Sequence, residues 1–294
     1  MTDNLRGALL MVLAMAGFAV EDMALKAAAG TGIPVGQVLM LFGAGGTLGF
    51  ALLVRAQGRR LWHPAMASRA VAARAAAEVT GRLFHTLALA YATLSSTSAI
   101  LQAAPLVVVA GAALLFGEKV GWRRWLAIGL GFAGVLMILR PGLDGFQATS
   151  VLAVLGMLGF AGRDLATRAA PKVLSNMQLG VLGFAVLVPT GAGFMLWEGG
   201  WVTPGLTGAV ALAGGTTIGI AAYAALTGAM RTGEVSVVTP FRYTRLVFGV
   251  GLGVLVFGEA LDGATLLGAG LILAAGLYTM LRERRGVRAG PVRK

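Results

Sequence analysis

Long apolar runs, broken only by short loops, constrain this chain more than any other property. A run of about 20 predominantly apolar residues is what a helix needs to span a ~30 Å hydrocarbon core. Broken at charges, prolines and glycine-rich turns, the runs predict helices over 6–28, 33–54, 72–93, 97–116, 123–140, 150–170, 175–197, 205–229, 235–257 and 262–281. Of the 294 residues 57% are hydrophobic and 12% charged. A soluble domain cannot hide that much apolar surface, whereas lipid leaves it exposed at no cost. Forty-five glycines fit the same solvent, since small residues let membrane helices approach closely.

Charge placement predicts the orientation. The net charge of +12 would suit nucleic acid if the basic residues formed a patch, but they fall in short clusters between uncharged stretches, and nucleic acid is excluded as a partner. With the N-terminus inside, eighteen of 24 Lys and Arg lie in cytoplasmic segments, four lie within spans, and only Lys26 and Arg140 lie outside. That asymmetry places both termini in the cytoplasm of a bacterial-type inner (plasma) membrane, as a multi-pass protein. All five tryptophans sit at span ends or in adjoining loops, where amphipathic rings prefer to lie. Arg6, the uncharged run to Val20 and Ala14-Met15-Ala16 resemble a signal peptide, but the repeat described next makes this stretch the first span.

Residues 17–28 (GFAVEDMALKAA) and 159–170 (GFAGRDLATRAA) share seven identities in twelve at a spacing of 142. Phe116-Gly117-Glu118 recurs as Phe257-Gly258-Glu259 at a spacing of 141. Each half holds five spans, an odd number, so the second copy enters the membrane from the opposite side. Lys119, Arg123 and Arg124 follow the first motif, and Asp262 without a base follows the second. The expected fold is an all-α membrane protein of ten transmembrane helices in two inverted five-helix repeats, at 1–142 and 148–286, with a basic cytoplasmic tail at 287–294. Inverted repeats are a common architecture of secondary transporters, with the substrate site near mid-depth.

Charges inside a span should face protein or water and mark a pathway, because a lipid-exposed charge at mid-helix costs roughly 2.5–3.5 kcal/mol on insertion scales. Four acids, Glu21, Asp22, Glu78 and Asp164, stand against four bases, Arg82, Arg163, Arg242 and Arg245. Arg74, Glu78, Arg82 and His85 share one face of the third helix, with Arg82 near the membrane centre and Arg74 interfacial. Arg242 and Arg245 are i, i+3 neighbours, and Arg245 also lies near mid-depth. Glu21 is replaced by Arg163 in the second copy, which breaks the symmetry. Two roles stay open for these residues. In one they pair and fix helix packing; in the other Arg82 or Arg245 grips a substrate carboxylate while Glu78 or Asp22 receives an ammonium. His85 is either a packing histidine or a proton relay. Tyr91, Phe84, Tyr223, Phe241 and Tyr243 are aromatic candidates for an apolar substrate part. Glu118 and Glu259 read as structural hydrogen-bonding groups at helix ends. Gly45/Gly49, Gly215/Gly219 and Gly249/Gly253 read as tight crossings, and Pro34, Pro105, Pro189 and Pro240 as kinks or ends.

The ten spans, the paired FGE motifs and APLVVVAGAALLFGEKVGWRRWLAIGLGFAGVLMILRPG at 104–142 resemble the EamA type of the drug/metabolite transporter superfamily over essentially the whole chain. Phe241-Arg242-Tyr243-Thr244-Arg245 is similar to S-adenosylmethionine uptake carriers, and the layout also resembles YddG-type amino-acid exporters. The resemblance implies a central cavity between the halves and flux of amino acids or related metabolites. An S-adenosylmethionine carrier is the alternative. From other classes, an intramembrane enzyme lacks H-E-x-x-H, G-x-S-x-G and P-loop motifs, and a channel does not need inverted halves. The expectation is a transporter and not an enzyme, with a small-molecule substrate, the bilayer as partner, no cofactor, no metal and proton coupling left open.

Overall fold

The computed structural model describes residues 3–117, 120–140, 148–232 and 238–288. Among them the regular structure is helical: α1 (Asp3–Ala29), α2 (Val35–Ala56), α3 (Arg69–Tyr91), α4 (Leu94–Leu101), α5 (Ala104–Phe116), α6 (Trp122–Leu139), α7 (Ser150–Ala169), α8 (Asn176–Ala185), α9 (Leu187–Trp197), α10 (Leu206–Thr232), α11 (Thr244–Phe257) and α12 (Gly263–Arg288). Short 3-10 turns occupy Pro64–Ala67 and Thr239–Tyr243. Glu118, Lys119 and most of the basic tail lie outside the described residues.

Six stretches are long and apolar enough to cross a membrane: Asp3–Ala29, Val35–Ala56, Leu94–Phe116, Ser150–Ala169, Asn176–Trp197 and Leu206–Ala229. Trp125–Leu139 and Gly263–Tyr278 are shorter apolar helices. The third and ninth expected spans fall short for different reasons. Helix α3 holds Arg69, Arg74, Glu78 and Arg82, and α11 has only 14 residues. Trp62, Trp122, Trp125, Trp197 and Trp201 are all exposed, as an interfacial belt requires.

Proline chemistry breaks two expected spans. A proline lacks the N–H for its own helical bond, and its ring clashes with the carbonyl four residues earlier. Four residues before Pro105 is Leu101, the end of α4; four before Pro189 is Ala185, the end of α8. The ninth expected span opens as the 3-10 turn around Pro240. Gln102, at the first break, and Tyr243, which closes that turn, are 141 residues apart. So are Gly117 (φ 67°) and Gly258 (φ 64°), the left-handed residues that end α5 and α11. Glycine takes that conformation without a Cβ penalty, which accounts for the middle letter of both FGE motifs.

The packing pairs follow an exchange rule. Helix α1 packs on α10, and α3 packs on α7; α2 lies against α8 and α9, α4 against α11, and α6 against α12. Exchanging corresponding spans of the two sequence halves turns the first pair into the second and each remaining pair into itself. Polar ties at the helix ends obey the same rule in part. Gln37 donates to the Val202 carbonyl at 2.7 Å, and Gln178, 141 residues on, donates to the Arg60 carbonyl at 2.8 Å. Glu198 accepts from the Val35 and Gly36 amides at the start of α2, and Glu259 accepts from the Leu94 and Ser95 amides at the start of α4. These carboxylates satisfy first-turn donors that lipid would leave stranded. The structural role read for Glu259 is thus observed, while Glu118 lies outside the described residues.

Two ends of the bundle can be told apart. Lys26, near the end of α1, donates to the carbonyls of Leu89 and Ala92 at the end of α3 and lies 4.0 Å from Glu259. Arg140, which ends α6, pairs with Asp262 before α12. Hydrogen bonds from Thr265, then Arg140, hold the Asp262 carboxyl below the usual carboxylate range. Helices α3 and α7 run antiparallel, since Gly156 faces His85, Gly159 faces Gly81 and Gly162 faces Ala77. Arg168 near the end of α7 lies over the Phe116 ring at the end of α5, at the opposite end of the bundle from Lys26.

Crossings without room for a side chain hold these pairs together. A Cβ on Gly159 would sit 2.3 Å from the Gly81 amide nitrogen. Its sequence mate Gly17 faces Ala222 of α10 at 2.8 Å. All three G-x-x-x-G pairs mark close approaches: Gly45 and Gly49 to α10, Gly215 and Gly219 to α1, and Gly249 and Gly253 to serines of α4. Replacing Gly159 by Leu should force α3 and α7 apart and cost about 1–3 kcal/mol or more. Gly193→Leu, where nothing lies within 4 Å, is the control and should be tolerated. Thermal unfolding of the two variants in detergent checks this.

Candidate functional site

Where α1, α3, α7 and α11 approach one another, the bundle interior is charged. Adjacent residues of α1, Glu21 and Asp22, are 2% and 1% exposed. Arg82 of α3 donates through Nη1 to Glu21 Oε1 at 2.9 Å. Asp22 uses both oxygens: Oδ1 lies 3.0 Å from His85 Nε2 of α3, and Oδ2 accepts from Arg245 Nη2 of α11 at 2.7 Å. One carboxylate therefore ties helices from both sequence halves. The face of α3 read from the i, i+4, i+8 spacing does look inward, because Arg74, Glu78 and His85 are all buried.

A second group lies along α3 and α7. Glu78 meets Arg74 at 3.4 Å, Arg163 at 3.5 Å and the Nε of Arg82 at 4.0 Å. Arg163 also holds its neighbour Asp164, donating Nε and Nη2 to Oδ1 at 3.0 and 2.8 Å. The Glu21-to-Arg163 exchange now has a local consequence. The first copy presents two carboxylates from α1 to α3, and the second copy presents a guanidinium and a carboxylate from α7 to the same helix.

Arg74, read as interfacial from its depth along α3, is covered by protein. It is 7% exposed, and besides Glu78 it donates Nε to Thr167 Oγ1 at 3.0 Å and Nη1 to the Leu179 carbonyl at 2.9 Å. Counting rise along α3 gave its depth but not its neighbours, and α7 and α8 cover it. Among the described residues the cluster thus has five guanidiniums against four carboxylates, not the even balance read from the sequence.

The aromatic expectations fare unevenly. Tyr91 is 59% exposed at the end of α3 and stands apart from the charges. Tyr243 is buried, but its hydroxyl points at Gly276 of α12 and has no hydrogen-bond partner among the described residues. Tyr223 packs edge-on against Phe50 at 4.9 Å, and Phe241 is exposed. The rings that do meet the charges are Phe42, Phe160 and Phe184, whose centroids lie 4.8, 5.5 and 5.6 Å from the Arg82 guanidinium. They come from α2, α7 and α8, so no single-helix spacing could have found them; Phe160 alone had a signal, as part of the repeated GFA segment. Gln102 was missed too. From the break between α4 and α5 it donates to the Arg242 carbonyl at 3.3 Å, linking that break to the 3-10 turn before α11.

Arg82 and Arg245, the expected carboxylate grips, are each engaged by a carboxylate of α1. Arg242 differs. It has no salt bridge or side-chain hydrogen bond among the described residues and lies within electrostatic reach of Asp164, Arg163 and Arg245. The described residues contain no group of three or more His, Cys, Asp and Glu able to hold a metal ion.

Residues 5–140 match the model of the EamA-like transporter family. A riboflavin transporter of Rhizobium johnstonii is 35% identical over 190 residues, which is 65% of this chain and 63% of that protein. The match therefore spans less than two thirds of that relative's length. An S-adenosylmethionine uptake transporter of Rickettsia bellii is 24% identical over 202 residues, 69% of each chain. The pseudopaline exporter CntI of Pseudomonas aeruginosa is 27% identical over 286 residues, 95% of this chain and 97% of that one. A solved crystal structure, 18% identical, superposes with a TM-score of 0.62 over 93% of this chain and 99% of its own, and so shares the fold. Residues 5–140 thus match an EamA-like transporter domain, and along its length the chain is similar to proteins named as transporters or exporters of small metabolites.

Proposed function

We propose that this protein is a secondary carrier moving small polar metabolites, foremost amino acids and related compounds, across the inner membrane by alternating access. The observation that carries the reading is a buried charged cluster built at the meeting of α1, α3, α7 and α11, helices drawn from both halves of a repeated sequence. A purely structural interior has no need of so many ionised groups, each costly to remove from water. In this reading residues 1–142 and 148–286 are inverted five-helix repeats, both termini are cytoplasmic, and the exchange rule in the packing pairs supports that arrangement. Two near-equivalent halves rock about the cluster and expose it in turn to each side. The Asp22 bridge to His85 and Arg245 is suited to differ between the two states, because it joins helices of different halves.

The EamA-like match over residues 5–140 and the transporter-named relatives speak against an intramembrane enzyme. A second substrate, S-adenosylmethionine, is favoured by the Rickettsia relative and by the three phenyl rings around Arg82, whose faces attract cations.

Purified protein in liposomes should exchange labelled amino acids or S-adenosylmethionine; absence of flux and of competition across a broad metabolite panel would end the carrier reading. Arg82→Ala and Arg245→Ala should each reduce exchange by roughly 10-fold or more while leaving inserted protein, since the first removes the ion-pair partner of Glu21 and the second leaves Asp22 with His85 alone. Normal flux in both would assign them to packing. The chain has no cysteine, so single cysteines can be introduced cleanly. Labelling one placed at 120 and another at 261 should find them on opposite faces of the membrane.

A further inference from the structure

The charge count of the cluster points to a chemical class for the substrate. Its carboxylates are Glu21, Asp22, Glu78 and Asp164, and each has at least one guanidinium or imidazole within hydrogen-bond or ion-pair distance. Among the described residues four of the five guanidiniums, on Arg74, Arg82, Arg163 and Arg245, are correspondingly paired. The fifth, Arg242, is not. It is half-buried, and its electrostatic neighbours are the Asp164 carboxylate first and then two further cations, Arg163 and Arg245. A guanidinium with no ion-pair partner of its own, in a cluster carrying one more cation than anions, is costly to hold inside a span, and such a group is a functional-site candidate by default.

Its position in the chain is equally specific. Arg242 lies in the 3-10 turn Thr239–Tyr243 that leads into α11, and its carbonyl is held by Gln102 from the break in the fourth expected span. Irregular backbone within a span, where it meets the other half, is where membrane carriers form their binding sites. Two buried polar atoms here also lack partners among the described residues: Nε of Arg245, three residues on, and Nε of Arg82 across the cluster.

We infer that Arg242 is the anchor for a substrate carboxylate, a singly charged group that completes the pairing of the cluster's guanidiniums. The inference rests on the carrier reading above and adds its substrate chemistry. A monoanionic group matches the single excess positive charge, whereas a phosphate dianion would overshoot it and meet Asp164 nearby. The side chain suits this role, because a guanidinium offers parallel donors to both oxygens of a carboxylate and stays charged wherever it is placed.

Two measurements test this. In ligand-free protein, Arg242→Gln removes an unpaired charge, so its thermal midpoint in detergent should rise by roughly 2–4 °C. Arg245→Gln leaves Asp22 with His85 alone and should lower the midpoint. A fall in Arg242→Gln comparable to that in Arg245→Gln would mean Arg242 is a structural ion-pair member, and would overturn the proposal. In liposomes, wild-type protein should favour L-amino acids over the matching L-amino-acid amides by roughly 10–100-fold, the value of a charge-assisted hydrogen bond. Arg242→Gln should lose that preference while still moving amides, and Arg242→Lys should restore part of it. Undiminished preference in Arg242→Gln, or stabilisation of wild type by inorganic phosphate ahead of amino acids, refutes the carboxylate anchor. Absence of flux for every compound in wild type refutes the carrier reading instead, and the ligand-free midpoints still judge Arg242.

Discussion

The cost of an unpaired charge or an unsatisfied amide away from water governs this molecule. Lipid supplies no hydrogen bonds, so the backbone must close its own in helices, and every ionised side chain within a span must turn toward protein. Asp22 shows the consequence most fully. A single carboxylate on α1 holds His85 of α3 and Arg245 of α11, and in doing so connects two parts of the chain that are far apart in sequence. The same requirement acts at helix ends, where Glu198 and Glu259 accept amides that would otherwise face hydrocarbon.

Small residues make these polar ties geometrically feasible. Side chains as short as aspartate and glutamate reach a neighbouring helix only if the backbones lie close. Gly219 of α10 packs directly over the Glu21 side chain, and Gly183 of α8 lies against the Arg74–Glu78 pair. Glycine and charge therefore occur together, with glycine creating the approach and the charge using it. Proline acts at a larger scale: Pro105 and Pro189 divide spans whose apolar runs are unbroken in sequence, and the break before Pro105 brings Gln102 to Arg242.

Much of this was legible beforehand, for physical reasons. The all-helical class and the six long apolar stretches could be read because hydrophobic length is a one-dimensional property, and the inward face of α3 because helical periodicity is fixed. The two FGE motifs announced paired helix ends, and the left-handed glycines at 117 and 258 explain why glycine recurs there. Tyr91 misled, since an aromatic near charges in sequence carries no information about the direction it faces. Arg74 misled in another way: its depth was countable, but burial depends on α7 and α8, which lie about a hundred residues away.

By itself, the sequence determined the solvent, the helical class, the repeat and the short inventory of charges that must be accommodated, because composition and spacing are local quantities. Only the tertiary structure decided which charges cancel. Pairing depends on distances of a few ångströms between helices that no spacing rule connects, and so it took the packed bundle to engage Arg82 and Arg245 with α1, to surround Arg82 with three phenyl rings, and to leave Arg242 without a salt bridge among the described residues.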